Sequence, residues 1–154
     1  YAVNDLNRVL GMDFPEIMRH AQLAPLTVCV VPRAKADNAY RPEQLLFRAT
    51  VGEYARSIPG LQDGVDFIIR HTNTRTTHLR RPIDGFENEG SNPYPGIASN
   101  TCHFAPQVRG CDILLVDDIY TRTVNIDEDM LQALFDNGAR TVVFYAIGNT
   151  PRKF

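Results

Sequence analysis

The stretch Cys111-Asp112-Ile113-Leu114-Leu115-Val116-Asp117-Asp118-Ile119-Tyr120-Thr121-Arg122-Thr123-Val124-Asn125 decides how the rest of this chain is read. Residues 113–116 are unbroken apolar, the pattern of a strand buried on both faces in a parallel sheet. Two adjacent carboxylates close the run and a hydroxyl-rich turn follows. Met130, Leu131, Leu134 and Phe135 then lie along one stripe of an amphipathic helix. A strand that ends in acids and turns into a helix is an α/β unit, and ligands of open α/β sheets bind beyond the carboxyl ends of their strands.

Working outward, the same alternation recurs. Thr27, Val28, Cys29, Val30 and Val31 form a β-branched strand that ends in Pro32, Arg33, Ala34 and Lys35. A helix is expected from about residue 42 to 57, with Leu45, Leu46, Ala49, Tyr54 and Ala55 inward, closed by Pro59-Gly60. Residues 65–69 read as another strand, and residues 141–147 as the last one, after Gly138 as a helix C-cap. Before them, two short helices are expected. One is capped by Asn4 and stopped by Gly11; the other is opened by an Asp13/Glu16 capping box and carries Ile17, Met18 and Ala21. Between residues 70 and 110 no period is sustained. A loop of that length inside a compact domain is usually a lid or a mobile segment, here hiding at most a short element. Residues 151–154 look like a frayed end.

The expectation is therefore a three-layer α/β fold with a mainly parallel sheet and right-handed crossovers, as one domain over residues 1–154. The strand ends at Lys35, Arg70 and Asp117 are expected around one crevice. With 154 residues, 44% of them hydrophobic, the chain can bury a real core. A net charge of −2 gives no global field toward nucleic acid, and no apolar run reaches the ~20 residues of a membrane span. Cys29, Cys102 and Cys111 are odd in number and lack ligand spacing, which points to free thiols in a reducing, cytoplasmic setting. No signal peptide is read in the residues given, and a start at Tyr1 without Met reads as a processed product or a piece of something longer.

What converges on the crevice is chemically specific. Arg33 and Lys35 bring two cations to one strand end. The stretch that follows residue 69 carries Arg70, His71, Arg75, His78, Arg80 and Arg81 without a carboxylate. Arginine suits phosphate by its planar fork and lysine by its point charge. Asp117 and Asp118 suit a divalent cation or a polyol, and the turn into the helix offers N–H groups to a phosphate. A sugar phosphate bridged by a metal meets all of these demands. The Arg-rich loop lacks the interleaved aromatics of a single-strand nucleic-acid platform, and no nucleic-acid partner is expected. His71 and His78 lack a third metal ligand.

On these residues the chain resembles the type I phosphoribosyltransferases, whose signature is an apolar strand, two acids and a Thr/Gly-rich turn entering a helix. Order and spacing agree from about residue 27 to 147, and small orphan amidophosphoribosyltransferase-like proteins with no sizeable hood domain are the most similar members. The resemblance implies Mg²⁺ as cofactor and phosphoribosyl pyrophosphate (PRPP) as ligand. It implies that ribose 5-phosphate passes to a nitrogen acceptor, with pyrophosphate released. Asp117 and Asp118 would take the ribose hydroxyls, directly or through the metal. Thr121, Arg122, Thr123, Val124 and Asn125 would wrap the 5′-phosphate. Arg33, Ala34 and Lys35 would hold the pyrophosphate. The loop bearing Arg70, His71, Arg75, His78, Arg80 and Arg81 would close over the site. One departure is visible: the family turn reads Thr-Thr-Gly-x-Thr, and here Thr123 stands in the glycine's place, where a β-branched residue resists positive φ. Asn125 and Glu128 are expected to cap the helix as a box, while Asp127 and Glu128 put negative charge against a bound phosphate. Two alternatives stay open: a catalytically weak PRPP-binding or regulatory module, and the effector (toxin) end of a larger protein.

Overall fold

The computed structural model describes residues 2–76, 90, 92, 97–121 and 125–150. Its centre is a four-stranded sheet in the order β2-β1-β5-β6, formed by β1 (Leu26–Val30), β2 (Leu61–Asp63), β5 (Asp112–Tyr120) and β6 (Thr141–Asn149), with every neighbouring pair parallel. Among the described residues three α-helices accompany it: α1 (Ala2–Ala21), α2 (Leu46–Ser57) and α3 (Ile126–Asp136). A separate antiparallel pair is formed by β3 (Ile68–Arg70) and β4 (Cys102–Phe104). Where the irregular middle stretch was expected to hide one short element, its described residues hold two, β4 and the 3-10 turn Pro106–Val108.

Strand alternation divides the core in two. Val28, Val30, Leu114 and Val116 pack with Leu10 and Phe14 of α1 and with Val51 and Ala55 of α2. Cys29, Val31, Ile113 and Leu115 pack instead with Met130, Ala133 and Leu134 of α3 and with Ile68 and Cys102 of the small sheet. Successive side chains of a strand face opposite ways, so β1 and β5, covered on both sides, read as continuous apolar runs. Burial of these side chains is the main stabilising term, at about 1.5–3 kcal/mol for each large one.

The topology then locates a crevice. From β1 the chain crosses through α2 to β2 on one side, and from β5 it crosses through α3 to β6 on the other. Right-handed crossovers that run in opposite directions must put their helices on opposite faces, as α2 and α3 are. Between β1 and β5 the strand order reverses, and at such a switch point the two connections part and leave a cleft outside the carboxyl ends.

Several expectations are corrected. The amino-terminal segment is one helix running through Gly11, Asp13 and Pro15. Its apolar stripe of Leu10, Phe14, Ile17 and Met18 is continuous across Gly11 and packs on the core. Gly11 gives room to α2 instead: a Cβ there would lie 3.2 Å from the Tyr54 hydroxyl oxygen. The Asp13 carboxylate accepts the Tyr145 hydroxyl at 2.5 Å, a use that only the tertiary fold creates. Residues 65–69 do not extend the central sheet. β2 takes that place, and the chain leaves it at Gly64, whose N–H donates to the Val28 carbonyl at 3.0 Å and where a Cβ would stand 2.5 Å from Thr27 Cγ2. The helix expected from residue 42 starts as a 3-10 turn, Pro42–Leu45, before α2. All three cysteines are free, Cys29 and Cys102 buried and Cys111 half-buried, and burial pushes the Cys29 thiol up to about 12. No helix among the described residues is long and apolar enough to cross a membrane. Residues 151–154 lie outside the described residues.

Candidate functional site

The cleft at the switch point is a cavity of about 400 Å³. One wall is the turn after β1. The Val31 N–H still bonds the Val116 carbonyl at 3.0 Å; then Pro32 ends the ladder and Arg33, Ala34 and Lys35 pass over the cavity. The other wall is the part of β5 that overhangs β1. β5 does not stop at Val116, as the sequence suggested, but stays paired with β6 through Tyr120. Asp117 and Asp118 therefore belong to a strand rather than to a loop, which fixes their positions more firmly. Alternation continues the Ile113/Leu115 face through Asp117 and the Leu114/Val116 face through Asp118, and both line the cleft.

The cationic wall is braced from behind. Arg33 donates through Nη1 to the Gln44 carbonyl at 2.8 Å, and its guanidinium carbon lies 4.8 Å from the centre of the Tyr40 ring. The Lys35 backbone N–H donates to the Tyr40 hydroxyl, and its Nζ donates to the Thr74 carbonyl, both at 3.0 Å. The segment after β3 clasps the same turn: the Thr74 N–H and hydroxyl both donate to the Ala34 carbonyl, and Asn73 Oδ1 accepts the Ala36 N–H. Arg70 was expected as a loop cation at the cleft. It is instead the last residue of β3, only 3% exposed, with Nε donating to the Arg33 carbonyl at 2.6 Å. Burial draws its pKa below the ordinary guanidinium value. Its role is to support the cationic wall, not to form it.

The acidic wall has the opposite electrostatics. Burial, then the neighbouring Asp127 and Asp118 charges, push the Asp117 carboxyl up to about 8. Asp127, in the first turn of α3, is only 4% exposed, and burial raises its pKa too. The two carboxyls interact with each other, and that interaction acts in opposite senses, raising Asp117 and lowering Asp127. Two buried oxygens on this wall, Thr121 Oγ1 and Asp127 Oδ1, have no hydrogen-bond partner among the described residues. Buried polar atoms are seldom left so, and both of these residues line the same cleft.

Of the residues expected to form the site, Arg33, Ala34, Lys35, Asp117, Asp118 and Thr121 come together around the cavity. His71 is exposed and stacks on His103, with ring centres 4.4 Å apart, and Arg75 is exposed; neither lines the cleft. Asn125 adopts a left-handed φ of 53° ahead of α3 and makes no side-chain cap. The expected capping box is absent because Glu128 accepts the Tyr120 hydroxyl at 2.8 Å instead. Arg122, Thr123, Val124, His78, Arg80 and Arg81 lie outside the described residues. Sequence reasoning missed Arg48, which lines the cleft from α2 and pairs with Asp37, and Asp127, which it took for a helix-end charge. A hint was present for Asp127: at an amphipathic helix's first turn it shares the core-facing stripe with Met130 and Leu134.

No protein-family model and no curated protein matches this chain.

Proposed function

We propose that this protein binds PRPP with Mg²⁺ in the β1–β5 cleft and transfers its ribose 5-phosphate to a nitrogen acceptor, as a phosphoribosyltransferase of type I architecture. The observation that carries the reading is the pairing of walls at the switch point. A backbone turn bearing Arg33 and Lys35, with Arg48 beside it, faces Asp117 and Asp118 across a cavity of about 400 Å³. A sugar carrying a phosphate and a diphosphate has the complementary layout, with hydroxyls for carboxylates at its middle and anionic groups at its ends.

The chemistry follows from that layout. The bond from C1 to the diphosphate oxygen breaks while the acceptor nitrogen bonds to C1. Positive charge grows on the sugar ring and negative charge on the leaving group. Cations and N–H donors fixed by the Arg33–Thr74 network, held in place before reaction, would favour that separation without reorganising. Mg²⁺ suits the donors present, since carboxylate oxygen is hard and the acidic wall carries excess negative charge. Among the described residues no group of three or more His, Cys, Asp or Glu side chains is arranged to hold a metal. Asp117 and Asp118 would thus supply part of the shell, with phosphate oxygens and water completing it, the habit of this ion. Bound there, Mg²⁺ would neutralise developing charge on the diphosphate.

A second reading draws on one observation. Arg33, Lys35 and Arg48 already serve protein acceptors, Gln44, Thr74 and Asp37 respectively. That suits a module that binds PRPP for regulation without transferring it. Calorimetric titration with PRPP and Mg²⁺ tests both readings against an unrelated function: binding is expected for the native chain and loss of binding for Asp117→Asn with Asp118→Asn. Pyrophosphate release over a panel of nucleobases and amines separates transferase from binder. A native chain that does not bind PRPP overturns both.

A further inference from the structure

The first turn of α3 holds three acids, Asp127, Glu128 and Asp129, and they are treated unequally. Glu128 accepts the Tyr120 hydroxyl at 2.8 Å, and Asp129 Oδ2 accepts the Ile97 N–H at 2.5 Å. Asp127 is the most buried of the three, at 4% exposure, yet its Oδ1 has no partner among the described residues and its side chain lines the cleft with Asp117. The described charges acting on these two carboxyls are all acidic: Asp118 acts on both, and Glu128 acts on Asp127. Thr121 Oγ1, the other orphaned oxygen, lines the same cavity. A carboxylate kept from water, next to another carboxylate and with a free oxygen, is stable only if a proton or a cation joins the pair.

We propose that Asp127 and Asp117 are joint ligands of a divalent cation, so that the metal is held between β5 and the first turn of α3 rather than by the adjacent acids of the strand alone. This deepens the site proposed above and rests on its cleft, but it does not need the sugar phosphate. The oxygen donors suit Mg²⁺ or Mn²⁺ rather than a softer ion. Thr121 Oγ1 is placed to meet the cation or a water that it carries.

The test is Mn²⁺ binding to the whole chain with no sugar phosphate present, read by loss of the free-ion paramagnetic resonance signal and by thermal melting. Native protein is expected to bind Mn²⁺ and to melt higher with it than in chelator. Asp127→Asn is expected to weaken binding on the order of 10-fold or more. In chelator it melts no lower than native protein, because one charge has left a cluster of neighbouring carboxyls. Glu128→Gln makes the same charge change on the same turn and is expected to leave Mn²⁺ affinity unchanged. Should Asp127→Asn fail to fold, Asp127→Ser carries the same expectations. The inference is overturned if native protein binds no Mn²⁺, if the Asp127 variants bind it as well as native protein, or if Glu128→Gln weakens it equally. A chain that binds Mn²⁺ through Asp127 but never binds PRPP keeps this inference and loses the proposed function; PRPP binding that ignores Asp127 does the reverse.

Discussion

The two ends of β5 carry the same residue type in opposite circumstances. At its start, Asp112 is gripped by Arg140 through Nε at 2.8 Å and Nη2 at 2.5 Å, and that hydrogen bonding holds its carboxyl below the usual range. Near its end, Asp117 has acids for neighbours and is pushed up to about 8 by burial first and by those charges next. Asp112 works for the fold, tying the start of β5 to the start of β6, where Arg140 immediately precedes Thr141. The charges acting on Asp117 are those of Asp127 and Asp118 instead. An acid crowded by acids in a cleft is maintained against its own electrostatics, and such groups concentrate at functional sites. One strand thus shows what separates a structural carboxylate from a candidate functional one: the sign of its neighbours.

The sharpest way to break this contrast is to neutralise each end and measure PRPP affinity by calorimetry. Asp117→Asn with Asp118→Asn is expected to lower affinity at least ~100-fold, the loss of two charge-assisted hydrogen bonds, whereas Asp112→Asn leaves it unchanged. Equal losses would erase the distinction.

Next in size is the pH dependence of metal-free stability, followed by urea unfolding. Asp117 holds its proton more tightly folded than unfolded. Its stabilising contribution is therefore full below the ordinary value of 3.8 and is lost as pH rises through about 8. The loss is on the order of a few kcal/mol, and Asp117→Asn is expected to flatten it. Asp112 has the reverse sign: its contribution is present above 3.8 and disappears as pH falls through its lower folded value, so Asp112→Asn alters only the acid limb.

The cationic wall extends the comparison, because Arg70 serves that wall as Arg140 serves Asp112, by holding something else in place. Arg70→Ala is expected to cost about 2 kcal/mol by denaturant titration, since it leaves the Arg33 carbonyl unpaired and a void beneath the turn. A loss near zero would show that the turn holds itself. The smallest effect is expected for Arg140→Ala. It should lift the Asp112 carboxyl toward its ordinary value in an NMR titration and leave Asp117 where it is.

Much of this was legible in the primary structure. Residues 113–116, Met130 and Leu134 of the α3 stripe and the last strand followed from local patterns, whereas Phe135, expected on the same stripe, is exposed. The proximity of Arg33, Lys35 and Asp117 also followed, from the rule that parallel strands present their ends on one rim. Other elements were not legible, for physical reasons. Gly11 and Asp13 look like a stop and a cap, and only the packing of Leu10 and Phe14 under α2 and β6 overrides them. β2 has three residues, too few to show a period, and exists because β1 offers it a ladder.

The order of residue types determined the α/β class, the strand-acid-turn-helix unit and the two charge clusters, because periodicity and side-chain chemistry are local properties. Which acid stands beside Asp117, and which arginine is buried as a brace rather than offered to a ligand, was decided only when opposed right-handed crossovers brought α3 and β3 against the same sheet end. Burial and neighbouring charge are properties of the assembled fold, and no single position carries them in advance.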